Sequence, residues 1–460
     1  MKIKKCNWSI FGILIIMIGI AAWWLNRHNT YETIIPAEAK LVIKIDMKTC
    51  MNNPIIQQKF QDLQQKALKN IQGIDWEKPI YIFVTPNEYI GTVASVTDEK
   101  LLASSLQNLP TNWKPTKSNI DEDATWNSLK NGWQIAYKKH AILLMGPGNQ
   151  QEAGTIRQTM REILNEDYDE SFMSTPFYDE LNQLKGDLNM ISHINVLPIP
   201  YNTFMKLQLP ENVSAQQTYL CSEIKIYQNK LCIQNTLNSN DKEAEKILEQ
   251  QVTPQLTHFK SFINTNNGII LYMHTYGEKL LHILREDPNF RAMLAGMNQV
   301  IDADLILRSI KGEALLQIQN FSESEVPTFT LQAQLANQNF MEKFPDWQKS
   351  AQKKKDMFIR PTHEGYHISY KNQHFFLNAG NNQLLLSSNA QIQCPKVKNS
   401  PHIMQSVTYM SINFDKLWRS STNIQKNNST NFIQSISEQL KSLEFKAKNC
   451  KKSTIDIYFR

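Results

Sequence analysis

Histidines are the side chains of this sequence that most readily suggest metal chemistry, since the chain carries ten of them. His363, His367 and His374 lie close together, and the even spacing of the first two lets them share one face of a strand. A zinc site needs closely spaced His or Cys pairs and a third protein ligand, and His374 falls beyond a predicted turn. We therefore interpret the three as surface or strand-edge histidines and predict no metal site.

Cysteines offer either disulfide or thiol chemistry, and the sequence has six of them: Cys6, Cys50, Cys221, Cys232, Cys394 and Cys450. None forms a C-x-x-C pair, so neither a zinc motif nor a thioredoxin-like motif is indicated. Cys221 and Cys232 fit adjacent strands of one hairpin, but a two-residue turn there would leave them out of direct register. Buried thiols are favoured, and a disulfide stays the alternative.

Motifs for catalysis are missing from the sequence. It has no G-x-S-x-G nucleophile elbow, and Gly146-Pro147-Gly148 is too short for a phosphate-binding loop and lacks the following Lys-Ser/Thr. The acidic stretches at 121–123 and 166–170 lack the spacing of an EF-hand, and we interpret them as solvated loops. No catalytic, cofactor-binding or metal-ligating residue is therefore assigned, and we expect a protein that is not an enzyme and has no cofactor.

Charge gives little support to a nucleic-acid partner, because a net charge of +6 is small for 460 residues. The basic run Lys353–Lys355 lacks interleaved aromatic residues and is interpreted as a solvated helix end. Glycosylation sequons would matter in a eukaryotic secretory chain and not in a bacterial envelope protein, which we favour. They lie at Asn212, Asn320, Asn427 and Asn428.

The start of the chain predicts a membrane anchor. Residues 8–25 carry no charge and are long enough to cross a bilayer as a helix, which takes about 17–25 apolar residues. Trp8 at one end and Trp23 and Trp24 at the other fit the aromatic belts of the two interfaces. Three lysines within residues 1–7 place the N-terminus in the cytoplasm. The expected location is a bacterial cytoplasmic membrane, crossed once, with the body in the periplasm.

A cleaved signal peptide is the main alternative to a retained helix. It is disfavoured because Ala21 and Ala22 are followed by bulky residues rather than by a small-x-small cleavage site. A lipoprotein signal does not fit either, since Cys6 precedes the apolar stretch. Residues 26–37 are polar and are predicted to be a tether.

Internal similarity predicts a duplicated body. The stretches that begin at Gly132 and Gly365 match at an offset of 233 residues, and both alternate apolar and polar residues like a β-hairpin. Other matched elements recur in the same order, each copy carrying strands at 41–47 and 269–275, at 80–84 and 304–308, and at 92–96 and 329–335. Amphipathic helices are predicted at 55–67 and 280–294, and short helices after the third strands.

The architecture that follows is an α+β fold behind an N-terminal transmembrane helix. We expect two tandem, internally duplicated modules at 38–255 and 264–460, joined near the polar residues 264–267. The predicted strands follow one another as hairpins, with helices between the hairpins. Each module should therefore hold a mostly antiparallel sheet with helices on one face.

The start of the body resembles a bacterial envelope family that is known only as a domain of unknown function. The resemblance rests on a strand with spaced residues Pro36, Ala39, Val42 and Asp46, and extends to about residue 148. It implies an extracytoplasmic location and a duplicated α+β build. It carries over no functional residue, because the family has no assigned activity.

Three functions remain open at this point. The first is a non-enzymatic envelope protein that binds a protein partner or organises the cell surface. The second is a carrier or sensor of a hydrophobic or glycan ligand held between the two modules, since domain interfaces favour pockets. The third is a hydrolase of an unfamiliar type, which would require acidic or histidine side chains to converge in a cleft.

Overall fold

A computed structural model describes most of the chain after the predicted anchor. The described residues are 30–52, 71–109, 115–121, 124–138, 140–149, 151–197, 201–210, 212–250, 259–286, 288–298, 301–319, 328–354, 356–363, 365–370, 373–389, 401–418 and 439–460. The predicted transmembrane helix at 8–25 and the predicted helix at 55–67 lie outside them. Among these ranges, none of the helices is long and apolar enough to span a bilayer.

The chain divides into two compact units. The first runs to Val196 and includes Cys221–Ile226, and the second comprises Leu197–Leu220 and Tyr227–Arg460. Both are mostly antiparallel sheet with helices, which confirms the predicted α+β class. The module boundaries predicted at 38–255 and 264–460 stay predictions.

The sheet of the first unit contains eight strands in the described ranges. They hydrogen-bond in the order β8-β1-β2-β3-β7-β6-β5-β4, and every pairing is antiparallel. The strands are β1 Leu41–Ile45, β2 Ile80–Val84, β3 Ile90–Ser95, β4 Pro115–Asp121, β5 Ala124–Leu129, β6 Gln134–Lys138, β7 Ala141–Gly146 and β8 Leu188–His193.

Helices of the first unit follow the strands and pack by one face. They are α1 Met47–Asn52, α2 Glu99–Gln107, α3 Ala153–Asn165 and α4 Pro176–Gln183. On α3 the residues Ile156, Met160 and Ile163 are all buried, at the spacing that places them on one side of a helix. The short helix predicted after the third strand is confirmed as α2.

The sheet of the second unit has the strand order β10-β20-β19-β18-β11-β12-β13-β17-β16-β15-β14, again antiparallel throughout. Strand β9 Thr218–Tyr227 pairs with β10, and its middle belongs to the first unit. The strands are β10 Lys230–Ser239, β11 Ile269–Tyr276, β12 Ile310–Ile318, β13 Phe329–Leu335, β14 Met357–Pro361, β15 Tyr366–Tyr370, β16 Gln373–Gly380, β17 Gln383–Ser387, β18 Thr408–Asn413, β19 Leu440–Ala447 and β20 Lys452–Phe459.

The helices of the second unit correct two sequence predictions. The strand predicted at 304–308 is wrong, because Asp302 caps a helix there by accepting a hydrogen bond from the backbone N–H of Leu305 at 2.8 Å. The helix predicted over 280–294 is two helices, since Pro288 starts a new one. The helices are α5 Tyr201–Gln208, α6 Lys242–Glu249, α7 Gly277–Glu286, α8 Pro288–Met297, α9 Ala303–Arg308, α10 Phe344–Gln352, α11 Pro401–Met404 and α12 Phe414–Trp418.

The hairpins predicted after Gly132 and Gly365 are confirmed. The first consists of β6 and β7, and the second of β15 and β16. Both glycines have a positive φ, of 85° and 159°, and a Cβ on Gly132 would stand 2.1 Å from the carbonyl oxygen of Gly148. Glycine is therefore required at Gly132 both by its backbone conformation and by this close approach.

Candidate functional site

The histidines singled out by their spacing are partly brought together. His367 on β15 and His374 on β16 are neighbours, with 3.1 Å between Nε2 of the first and Nδ1 of the second, whereas His363 is an exposed residue of the preceding turn. Burial, His374 and Arg360 lower the pKa of His367. Within the described ranges, no three His, Cys, Asp or Glu side chains are arranged to hold a metal ion.

The cysteines within the described ranges are thiols. Cys50, Cys221 and Cys232 are buried and Cys450 is partly buried, with no disulfide among them. Burial raises the pKa of the Cys50 thiol to about 11, so the reactive thiolate is disfavoured there. Buried thiols were the favoured interpretation of the sequence, and they are confirmed for Cys50, Cys221 and Cys232.

The acidic stretch at 166–170 contains one perturbed carboxyl group. Glu166 follows α3, and one of its carboxylate oxygens is buried without a hydrogen-bond donor among the described residues. Burial, followed by the charges of Glu170, Glu38 and Glu162, raises the pKa of Glu166 from 4.5 to about 7. The sequence did not indicate this shift, because it depends on which residues pack over the end of the helix.

A second polar cluster links Glu32, which lies in the segment predicted to be a tether, to the first sheet. The Tyr81 hydroxyl donates to Oε1 of Glu32 at 2.8 Å, and the Tyr178 hydroxyl donates to Oε2 at 2.6 Å. Burial and then the Glu32 carboxylate raise the pKa of both tyrosines. The hydroxyls therefore stay protonated as donors, and the cluster holds the segment in place rather than supplying an acid or a base.

The second unit buries an ionisable cluster of its own. Lys260, Tyr272 and Glu313 are each about 1% exposed, and the tyrosine hydroxyl donates to Oε1 of Glu313 at 2.6 Å. The Lys260 ammonium donates to the carbonyl oxygen of Met404 at 2.8 Å and lies 5.4 Å from the centroid of the Tyr272 ring. Burial lowers the pKa of Lys260, and the Glu313 charge opposes that shift. The polar groups of such a cluster find their hydrogen-bond partners within the protein, and the cluster fixes how the surrounding residues pack.

The most distinctive site is an apolar cavity of about 430 Å³ within the first unit. One face of the sheet forms its floor, α2 forms a wall, and the segment before β2 completes the lining. The lining residues are Ile71, Ile74, Trp76, Ile80, Thr92, Ala94, Leu102, Leu106, Leu109, Leu129, Ile135, Ile142 and Leu144.

Local sequence explains how the wall is positioned. Asp98 caps α2 by accepting hydrogen bonds from the backbone N–H groups of Lys100 and Leu101, at 2.8 and 2.9 Å. Leu102 and Leu106, one turn apart, are then buried against the sheet. Gly73 has a φ of +90°, and a Cβ there would lie 2.3 Å from the carbonyl oxygen of Asp98, so only glycine lets this segment approach the helix.

The chemistry of the cavity follows from its lining, which among the residues that the structure describes is almost entirely carbon and includes no titratable side chain. It cannot supply an acid, a base or a nucleophile to a bound molecule. At about 30 Å³ per water-sized group, its volume accommodates on the order of a dozen heavy atoms. Known ligand pockets have similar sizes and mostly apolar walls, but they add polar groups that fix orientation. This cavity suits a hydrocarbon.

Sequence reasoning did not identify this cavity. The alternation of apolar residues along the strands predicted a buried face. It could not show that Leu102 and Leu106 of α2 and Ala94 of the sheet line one open space. The relevant signal was the small residue Ala94, which pairs with the larger Ile142 on the adjacent strand.

Comparison with known proteins gives a family and two solved structures. A family model described as "Domain of unknown function (DUF4836)" matches residues 31–459. No curated protein matches the chain. A solved structure of TP0453, crystal form I, is similar over 46% of this chain and 79% of that chain, with 11% identity and a TM-score of 0.30. Crystal form III covers 46% and 81%, with 8% identity and a TM-score of 0.27.

Proposed function

The chain belongs to the family described as a domain of unknown function, DUF4836. We propose that this chain is a non-enzymatic binding protein of the bacterial envelope. In this proposal, its first unit takes up an apolar ligand. The single observation that carries the proposal is the cavity of about 430 Å³ with its carbon lining. A pocket without a titratable group supports binding rather than catalysis. A groove between the two modules, predicted from the sequence, stays a prediction.

The proposed location rests on the sequence of the N-terminus. Residues 8–25 are uncharged and follow three lysines, the pattern of a retained helix with its N-terminus in the cytoplasm. A body held outside a bacterial cytoplasmic membrane would meet hydrocarbon ligands at the bilayer surface. An organising role through a protein partner is the alternative, and it would not need the cavity.

A duplicated body is part of the proposal, and the strand order supports it. The first unit has the order β8-β1-β2-β3-β7-β6-β5-β4, and the second contains β18-β11-β12-β13-β17-β16-β15-β14. Every strand of the first unit thus corresponds to a strand of the second unit whose number is larger by ten. This order aligns β6 with β16, whereas the sequence match at an offset of 233 aligned β6 with β15, so the two hairpin sequences are similar but are not counterparts.

The test fills the cavity and measures binding. Ala94→Phe places a ring into the space above β3, and it should abolish binding of a fluorescent fatty-acid analogue of about a dozen carbons, measured by anisotropy. The matched control is Ile90→Phe, because Ile90 lies on the same strand, is 40% exposed and does not line the cavity.

The control should bind the analogue like the unsubstituted chain. Equal binding by both variants would show that the analogue sits elsewhere, and no binding to the unsubstituted chain would remove the proposal. Circular dichroism of each variant reports whether it is folded.

A further inference from the structure

The floor of the cavity has a counterpart in the second unit at the same pairing positions. Ala94 pairs with Ile142 on the neighbouring strand, as Ala333 pairs with Leu384. Ile135 pairs with Leu144, as Leu377 pairs with Leu386. All eight residues are apolar, so both sheets present a similar surface at this place. The corresponding residues are Ala94 and Ala333, Ile142 and Leu384, Ile135 and Leu377, and Leu144 and Leu386.

What lies above this surface differs between the units. In the first unit α2 contributes Leu102 and Leu106, and the cavity remains between them and the sheet. In the second unit α10 contributes Phe344 and Trp347, which are 0% and 6% exposed and pack in one cluster with Ala333, Leu377 and Leu384. Aromatic side chains thus take the place of leucines.

Ring contacts show how tightly the second unit is filled. The ring of Phe344 stacks on Tyr366 with 3.7 Å between centroids and lies 4.7 Å from the ring of Trp347. Phe340, just before α10, is also fully buried in this cluster. Each such ring buries roughly 150–250 Å² of surface, more than a leucine can cover.

We infer that the second unit carries a copy of the ligand site that is permanently occupied by Phe340, Phe344 and Trp347, so each chain takes up one hydrocarbon chain, in the first unit. This inference rests on the proposed function, and it adds the number of sites and the reason why the second unit has none. The bound part of the ligand is an uncharged hydrocarbon of about a dozen heavy atoms. A charged group would stay outside, because the lining offers it no partner.

Native mass spectrometry of the full chain tests the number of sites, with a fatty-acid analogue of about a dozen carbons as the probe. The unsubstituted chain should bind one probe and Ala94→Phe none. A double substitution, Phe344→Leu with Trp347→Leu, gives α10 the residue type that α2 has. In the Ala94→Phe background this double substitution should restore the binding of one probe, now in the second unit.

The outcomes separate the inference from the proposed function. Two probes on the unsubstituted chain, with one remaining on Ala94→Phe, would overturn the inference while the proposed function stands. One probe on each of the two would overturn both, because the probe would then sit outside the cavity. No probe on the unsubstituted chain would overturn both. A folded triple variant that binds nothing would also overturn the inference. If the triple variant does not fold, the fallback is Phe344→Leu alone in the Ala94→Phe background. A folded form of this double variant that binds no probe at any concentration would overturn the inference.

Discussion

At the scale of single residues, Glu166 is the side chain whose titration has a consequence for stability. Its carboxyl group ionises at about pH 7 in the folded chain instead of at 4.5. Between these two values the folded state holds a proton that the unfolded state has lost, so the free energy of unfolding falls as the pH rises through this window. Below pH 4.5 the group has no effect, and above pH 7 the full penalty is present.

Glu166→Gln should therefore stabilise the protein above pH 7 and remove this part of the pH dependence. We expect a gain of about 1 kcal/mol, a value already reduced for the solvent that screens a half-buried group. Urea unfolding at pH 5 and pH 8 measures it. Glu342→Gln, at an exposed residue of the second unit that is not among the charges acting on Glu166, is the control. A gain at pH 5 as large as that at pH 8 would contradict the assignment to the Glu166 charge.

Residue types alone predicted the absence of catalytic motifs but not the packing of particular groups. The glutamate with two tyrosine donors, Glu32, joins residues that are far apart in the sequence, Tyr81 and Tyr178. Such contacts depend on the register of strands and on the docking of turns, which no local pattern encodes. The adjacency of His367 and His374 has the same origin, since a diagonal pair across two strands needs the register of the hairpin.

At the scale of elements, α2 is the helix that makes the cavity, and its cap should affect binding. Asp98→Ala removes an acceptor for two backbone N–H groups and should cost about 1 kcal/mol of stability. It should also weaken probe binding several-fold, because Leu102 and Leu106 depend on the position of the helix.

The matched control is Asp241→Ala in the second unit. Asp241 caps α6 with the same geometry, accepting from Glu243 and Ala244 at 2.9 Å each. Chemical denaturation should show a similar loss of stability for both variants, and anisotropy should show weaker binding only for Asp98→Ala. Equal binding losses would mean that the effect on binding is global rather than local.

Elements were predicted well where the apolar period was clear and poorly where capping decided the outcome. The strands beginning at Leu41 and Ile269 and the hairpins after Gly132 and Gly365 were expected and are present. The apolar run at 304–308 was expected to be a strand because periodicity cannot separate a short strand from a short helix. The cap of Asp302, which accepts from Leu305, favours the helix.

At the scale of the whole molecule, the proposed anchor makes a prediction that concerns the cell. Deletion of residues 1–25 should release the chain from membranes into the soluble fraction, and the full chain should stay in the membrane pellet after an alkaline wash. The control replaces Lys2, Lys4 and Lys5 with glutamine, which keeps the apolar stretch and should keep the chain in the membrane. Recovery of a full-length chain from the wash would contradict the anchor, and a mature N-terminus near Trp23 would indicate cleavage.

The path of the chain between the units sets an order for folding during synthesis. The first unit includes Cys221–Ile226, which the ribosome makes only after Leu197–Leu220, a segment of the second unit. The first unit therefore lacks part of itself when residue 196 emerges. A nascent chain that folds from its N-terminus completes this unit only about thirty residues later, after roughly a few seconds at about 5–20 residues per second.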